Sequence, residues 1–288
     1  MGLISTVGLV LHPRRDCSDA METIISWARQ REVSVLGLTQ EVSRILGEAE
    51  AVEEHDLATR ADLIVSLGGD GTMLRAMRLV HGHPAPVLGV NLGRLGFLAE
   101  IDIPELANAL SAIDDHRFTV ETRSGVHASF GGQNVTAFND IALVRVPGRG
   151  TSAVVEVAVE DQPFLRYAAD AVVVATPTGS TAYSFSAGGP IVSPRAEGLL
   201  VIPAAPHSAF NRALFLSSGE KLALRVLATS GELAVEADGQ LIDYLRPGDV
   251  VDVRLLPSAA HVVRLGRTTF YQRARRRLHL TGSVEADY

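Results

Sequence analysis

Apolar and polar positions are most sharply patterned over residues 61–80. Leu63, Ile64, Val65 and Leu67 form a short, nearly continuous apolar run, as in a strand buried on both faces of a parallel sheet. Gly68, Gly69 and Gly71 then surround Asp70, and apolar residues resume at helical spacing with Met73, Leu74, Met77 and Val80. The segment predicts strand, turn and helix, the helix starting near Thr72. Upstream, residues 7–11 predict a strand, residues 18–30 an amphipathic helix carrying Trp27, and residues 33–38 a second strand, so the chain opens with a βαβ unit. The acidic stretch 48–56 predicts a solvated surface segment. Residues 87–90 predict another strand running into a turn at 91–97, and Pro104 stands where a helix over 105–113 begins.

Near Phe118 the pattern changes to alternating strands separated by Gly, Asn and Asp turns. Strands are predicted over 126–130, 135–146, 153–159, 171–175, 199–202, 222–227, 233–236 and 250–255, with Asp238 and Gly239 as a hairpin turn and a closing helix over 270–280. The expected organisation is an α/β domain over 1–118, a mainly β domain of sandwich or barrel type over 119–265, and a segment, 266–288, that returns to the first domain.

Composition narrows the function classes. The chain has 288 residues, 47% hydrophobic and 20% charged, enough for two domains with proper cores. A net charge of −7 argues against a nucleic-acid surface. Positive charge concentrates only at Arg273, Arg275, Arg276 and Arg277, which read as a solvated helix face. Cys17 is the only cysteine, so no intramolecular disulfide or cysteine metal site can form, which suits a reducing cytoplasm. No apolar run reaches the length of a membrane span and no signal-peptide pattern precedes the first strand, so the expectation is a cytoplasmic protein with no membrane partner. Lys221 is the only lysine and no glycine-rich loop precedes it. Phosphates, if handled, are handled by glycine backbone, arginine and metal rather than by a Walker-type loop. The first turn, His-Pro-Arg-Arg-Asp at 12–16, also lacks the glycine fingerprint of a dinucleotide-binding oxidoreductase.

Three constellations carry candidate chemistry. The first is Gly68, Gly69, Asp70, Gly71 and Thr72. Glycines tolerate positive φ and carry no Cβ, so the turn can bring backbone N–H groups to phosphates at a helix start. A carboxylate inside such a cradle repels its ligand unless it holds a metal ion or accepts a proton. The second is the run 176–190, dense in hydroxyls and small residues, where Tyr183 offers a stacking ring. The third is Asn139 with Asp140, an amide beside a carboxylate, which suits a vicinal diol. Asp170 before the strand 171–175 and His207 are weaker candidates.

In their order, GGDGT (68–72), GVNLGRLGFLAEI (89–101), NDI (139–141), TPTGSTAYSFSAGGPIVSP (176–194), PH (206–207), EADGQ (236–240) and FYQRARRRL (270–278) resemble the NAD kinase family over nearly the whole chain. The first motif is shared with lipid kinases; TPTGSTAYS is far more specific. The resemblance implies the NAD kinase-like fold, a Rossmann-like α/β N-terminal domain plus a mainly β C-terminal domain, and homodimers or homotetramers. It implies transfer of the γ-phosphoryl group of ATP, or phosphate from polyphosphate, to the 2′-hydroxyl of the adenosine ribose of NAD, with a divalent metal such as Mg²⁺. On that resemblance Asp70 is the proton acceptor, and Gly71 and Arg75 lie near the dinucleotide. Asn139 and Asp140 hold the ribose, Thr181, Ala182, Tyr183, Ser184, Phe185 and Ser186 bind the adenosine half, and Gln240 is a further contact; no residue is assigned as a metal ligand. The chain departs from the family in carrying Asn139-Asp140 for Asn-Glu and Ala169-Asp170-Ala171 for a glycine-flanked Asp, a methyl added on the substrate side. Two alternatives stand beside this: a paralogous kinase acting on a nucleoside or other adenosine-containing acceptor, and a catalytically silent dinucleotide sensor.

Overall fold

In the first of two units, residues 1–122 with 260–288, the apolar runs become a parallel sheet carrying helices. The computed structural model describes residues 4–45, 49–93, 96–150, 152–207 and 210–280. The chain forms β1 (Thr6–Leu11), α1 (Ser18–Gln30), β2 (Ser34–Leu38), β3 (Glu50–Val52), α2 (Glu54–Arg60), β4 (Leu63–Gly68), α3 (Asp70–Leu79), β5 (Val87–Asn91), β6 (Ile101–Asp102) and α4 (Leu106–Asp114). The strand order is β3-β2-β1-β4-β5, all parallel, with β6 beside β5. β4 is buried at every residue, as its unbroken apolar run predicts. Met21 and Ile24 of α1 and Leu106 and Leu110 of α4 pack with Val7, Leu9 and Val65 of the sheet. The order reverses between β1 and β4, and in doubly wound sheets the crevice beyond the strand ends at such a reversal is where ligands bind.

The second unit, residues 123–259, is a sandwich. It contains β7 (Thr119–Phe130), which begins in the first unit, β8 (Gln133–Ala137), β9 (Asp140–Arg145), β10 (Ala153–Val159), β11 (Gln162–Ala169), β12 (Ala171–Ala175), the short helix α5 (Tyr183–Ser186), β13 (Gly198–Ala204), β14 (Leu214–Ser217), β15 (Leu222–Val226), β16 (Leu233–Ala237), β17 (Gln240–Leu245) and β18 (Val250–Arg264). One layer runs β11-β10-β15-β18 and continues through β7 and β8; the other is antiparallel in the order β14-β13-β12-β9-β16-β17. Val155, Val157, Leu224 and Val253 of the first layer share one core with Leu143, Val172, Val174 and Val235 of the second. The last residues of β18 belong to the first unit, where Val262 pairs with Val87 and where α6 (Phe270–Arg277) also packs.

Several elements differ from the sequence expectation. The acidic stretch is not merely solvated: it forms β3 and the start of α2, because Val52, Leu57 and Ala58 are buried while the acids stay outside; its residue 48 lies outside the described residues. The predicted strand 135–146 is two strands broken at Phe138 and Asn139. β11, β14 and β17 were not expected. β11 begins Gln-Pro and is exposed at half of its residues on the edge of its layer, so it lacks an alternating apolar signature. β18 runs nine residues past the predicted end, through Pro257 and through Ser258 at φ 51°, features that read as a turn in sequence.

Candidate functional site

Each unit gathers its own cluster of the predicted site residues. In the first unit, three loops at the carboxyl ends of the parallel strands lie side by side. His12 N donates to Leu67 O at 2.8 Å, and Leu92 N donates to Gly68 O at 3.0 Å. α3 begins at Asp70, two residues earlier than the spacing suggests, with Gly69 as its N-cap. Asp70 is therefore the first helical residue rather than the cap. Its carboxylate turns to the loop after β5, where Oδ2 accepts the N–H of Phe97 at 2.9 Å and Oδ1 that of Leu98 at 3.0 Å. Gly96 makes that approach possible, because a Cβ there would stand 2.2 Å from Asp70 Oδ1.

The cradle glycines do their work differently from the expectation. None of Gly68, Gly69 and Gly71 has positive φ. Gly68 is required by close approach, since a Cβ would meet Thr72 Oγ1 at 2.1 Å, and Thr72 itself is buried. Around the Cβ positions of Gly69 and Gly71 nothing lies within 4 Å. Two bare backbone positions at the start of α3 thus border open space beside a fixed carboxylate, an arrangement suited to phosphate. Arg75 is engaged internally: it ion-pairs with buried Glu41 and donates to Leu11 O at 3.2 Å, while Glu41 Oε2 accepts Leu11 N at 2.8 Å. Glu41 has no sequence signal beyond being an isolated acid after a strand.

A buried network holds the loop that holds Asp70. Glu100 Oε2 accepts from Arg264 Nη1 at 2.9 Å and Arg273 Nη1 at 3.1 Å, and Glu100 Oε1 accepts the N–H of Leu265 at 2.8 Å. The same guanidinium groups bond the loop backbone, Arg264 to Leu98 O at 3.2 Å and Arg273 to Ala99 O at 3.3 Å. Glu121 completes the charge balance on Arg264 Nε at 2.9 Å. Arg273 therefore departs from the solvated face predicted for the C-terminal arginines: it is 3% exposed, whereas Arg275, Arg276 and Arg277 are exposed.

In the second unit the cluster forms around the break between β8 and β9. Thr176 N donates to Asn139 O at 2.9 Å, Thr176 Oγ1 donates to Phe138 O at 2.6 Å, and Gly179 N donates to Thr176 Oγ1 at 3.1 Å. The hydroxyl-rich run is thereby stitched onto Asn139 and Asp140. Asp238, read from sequence only as a turn residue, closes the other side. At φ 48° in the β16–β17 hairpin, its Oδ1 accepts the N–H of Asn139 at 2.7 Å and of Phe138 at 3.1 Å. Gln240 follows directly and is exposed at the start of β17. Of the segment 181–186, Thr181, Ala182, Tyr183 and Phe185 are half-buried and Ser186 is exposed. Ser184 Oγ is fully buried with no hydrogen-bond partner among the described residues.

Gly179 is the tightest position of this cluster. A Cβ there would stand 1.9 Å from Asn139 O and 2.7 Å from its Cα, all backbone. Gly179→Ala is expected to push the run off Asn139 and to destabilise the protein by about 1–3 kcal/mol. It should also weaken whatever ligand binding depends on this run. Denaturant unfolding and calorimetric titration check both effects.

Asp140 is almost fully buried, and its carboxyl is pushed up to about 7. Burial is the main cause, the Asp238 carboxylate adds to it and Glu236 adds less, while the Tyr183 backbone N–H pulls the other way. The folded value exceeds the ordinary 3.8, so between the two the folded chain keeps a proton that the unfolded chain has lost. This group's contribution to stability is complete at acid pH and is lost as pH rises through about 7. The thermal midpoint of the native protein is thus expected to fall more steeply from about pH 5 to about pH 7.5 than that of Asp140→Asn. Equal slopes would contradict the assignment.

Asp170 lies between β11 and β12 and pairs with Arg145 of β9. Arg145 comes from a neighbouring strand, a contact no local spacing could show. The methyl of Ala171 does not crowd an open site: it is fully buried in the apolar cluster of Ala142, Val173 and Ala204. His207 is exposed and its backbone N–H donates to Ala168 O at 2.7 Å.

Comparison with known proteins bears on both clusters. Residues 7–118 match the model of the ATP-NAD kinase N-terminal domain and residues 138–265 that of the ATP-NAD kinase C-terminal domain. The chain is 41% identical to NAD kinase 1 of Streptomyces avermitilis, over 98% of this chain and 89% of that one, and 36% identical to NAD kinase of Desulforamulus reducens, over 96% and 97%. Among solved structures, yeast NADH kinase complexed with NADH aligns over 100% of this chain and 91% of its own, with a TM-score of 0.86 and 25% identity. An NAD kinase from Archaeoglobus fulgidus in complex with ATP aligns over 96% and 100%, with a TM-score of 0.74 and 24% identity, and supports the fold.

Proposed function

The chain belongs to the ATP-NAD kinase family, and from that premise we propose that it transfers the γ-phosphoryl group of ATP to the 2′-hydroxyl of the adenosine ribose of NAD, giving NADP. One observation supports the assignment of parts: the same chain holds a fixed carboxylate beside bare glycine backbone in its first unit and a polar cluster around Asn139 and Asp140 in its second.

Asp70 is the general base. Its two backbone hydrogen bonds fix its direction, and it takes the proton of the 2′-hydroxyl as that oxygen bonds to the γ-phosphorus. The bond from phosphorus to the β–γ bridging oxygen breaks and ADP leaves. The start of α3, with Gly69 and Gly71, offers backbone N–H groups to the transferred phosphoryl group. Asn139 and Asp140 orient the ribose, and residues 181–186 and Gln240 take the adenosine half; Asp170, paired with Arg145 at the other end of the β9–β12 strand pair, is assigned a more distant part of the dinucleotide.

Among the described residues no three His, Cys, Asp or Glu side chains form a ligand cluster. A Mg²⁺ ion would be held by the donor's phosphates and by Asp70 beside the open cradle. Such an ion supplies charge neutralisation on the phosphoryl oxygens. The working form is a cytoplasmic homodimer or homotetramer. In support, the family resemblance implies such assemblies, and the single cysteine allows no disulfide within the chain.

The test is ADP release from ATP and Mg²⁺ with a panel of acceptors: NAD, NADH, adenosine and other nucleosides. NAD is expected to support turnover well above every nucleoside. Turnover confined to a nucleoside would keep the fold and move the substrate.

A further inference from the structure

The turn after β1, His-Pro-Arg-Arg-Asp at 12–16, has no part in the function described so far. It stands beside the cradle, since His12 N bonds Leu67 O at the end of β4. It is a built turn rather than a loose one. His12 Nδ1 accepts the backbone N–H groups of Arg14 at 3.1 Å and Arg15 at 3.0 Å. Arg44 braces the outside, donating to the carbonyls of His12, Pro13 and Arg15 at 2.9, 3.2 and 2.9 Å. Burial, and then the charges of Arg15, Arg14, Arg44 and Arg75, hold His12 below its ordinary range, which keeps Nδ1 an acceptor.

That bracing leaves the Arg14 and Arg15 side chains exposed, with no carboxylate partner among the described residues. Arg15 leans over the loop after β5, and a Cβ on Gly93 would stand 2.3 Å from its Nη1. Arg75 is neutralised by Glu41 and Asp16 is turned to Ser18, so the two free guanidinium groups dominate the patch. On a chain of net charge −7 such a patch beside a phosphate cradle has a polyanion as its natural ligand. Planar guanidinium groups bind phosphate oxygens bidentately, and no internal ion pair is broken when they do.

We propose that Arg14 and Arg15 form the subsite that grips the phosphate chain of the donor, whether that chain belongs to ATP or to inorganic polyphosphate. The proposal rests on the phosphotransferase function stated above and adds the residues that read its donor.

The experiment compares the native protein with Arg14→Ala/Arg15→Ala, using tripolyphosphate as the probe. In calorimetry tripolyphosphate should bind the native protein and lose roughly tenfold or more in affinity to the variant, the worth of a charge-assisted contact partly screened by solvent. In steady state the variant's KM for ATP should rise by a similar factor while its KM for NAD stays within about twofold. Arg14→Lys/Arg15→Lys should recover part of the loss. If polyphosphate also serves as donor, its KM should rise in parallel, which identifies the phosphate chain as the shared feature. An unchanged KM for ATP, a rise confined to the KM for NAD, or equal tripolyphosphate binding by both proteins would overturn the proposal. No phosphoryl transfer by the native protein, with tripolyphosphate still bound through these arginines, would instead overturn the functional reading and leave the anion site standing.

Discussion

Asp70→Asn is expected to lower turnover by roughly 10²- to 10⁴-fold while NAD still binds. A ribose hydroxyl is a weak nucleophile, and the amide cannot take its proton. The amide also breaks half of the local hydrogen bonding. Asp70 accepts one backbone N–H on each oxygen, from Phe97 and Leu98, and an asparagine presents an NH₂ to one of those donors. The loop should therefore shift slightly as well. Binding of NAD is expected to persist because the residues proposed to hold it, Asn139, Asp140 and the run 181–186, belong to the second unit. Turnover measured as ADP release, beside a calorimetric affinity for NAD, separates the two effects. Near-normal turnover in Asp70→Asn would remove the residue from its assigned role.

Arg273→Met carries the second large expectation. Glu100, Arg264 and Arg273 are each at most 9% exposed and balance one another's charge with Glu121. Removing one guanidinium leaves Glu100 with a single arginine partner in a site closed to water. Breaking a buried pair in this way costs about 3–5 kcal/mol, whereas replacing both partners can be nearly neutral. The double variant Glu100→Gln/Arg273→Met is therefore expected to be less destabilised than the sum of the single variants. Turnover should fall together with stability in the single variant, because Ala99 O loses its donor in the loop that fixes Asp70. Arg276→Ala, on the exposed side of the same helix, should change neither property. Denaturant midpoints give the stabilities. A loss below about 1 kcal/mol in Arg273→Met would show that the site is wetter than its burial indicates.

What could be read from sequence follows the range of the interactions involved. α1 is observed over the predicted residues because a 3.6-residue apolar period is a local property. β4 is legible from its unbroken apolar run and α3 from its helical spacing, the helix starting at Asp70 because the strand ends at Gly68 and Gly69 is the N-cap. Strand bounds in the second unit were less legible: β11 is half exposed on a sheet edge, and β18 passes through a proline and a positive-φ serine. The site residues named from sequence lie in two clusters, but what holds them does not show in a linear pattern. Asp238 reaches the backbone at Asn139 from 99 residues away, and Arg145 pairs with Asp170 across a strand pair. Arg273 reads as one of four surface arginines until the fold buries it against Glu100. Each of these contacts satisfies a buried or charged group at long sequence range, and periodicity carries no information about that.

The most direct test of the account is to incubate the purified protein with NAD, ATP and Mg²⁺ and to assay the product with an NADP-specific dehydrogenase and by phosphorus NMR. The account predicts one NADP for each ADP released, with the new phosphate on the 2′-oxygen of the adenosine ribose. ADP released without NADP, or a phosphate on any other hydroxyl, would contradict it.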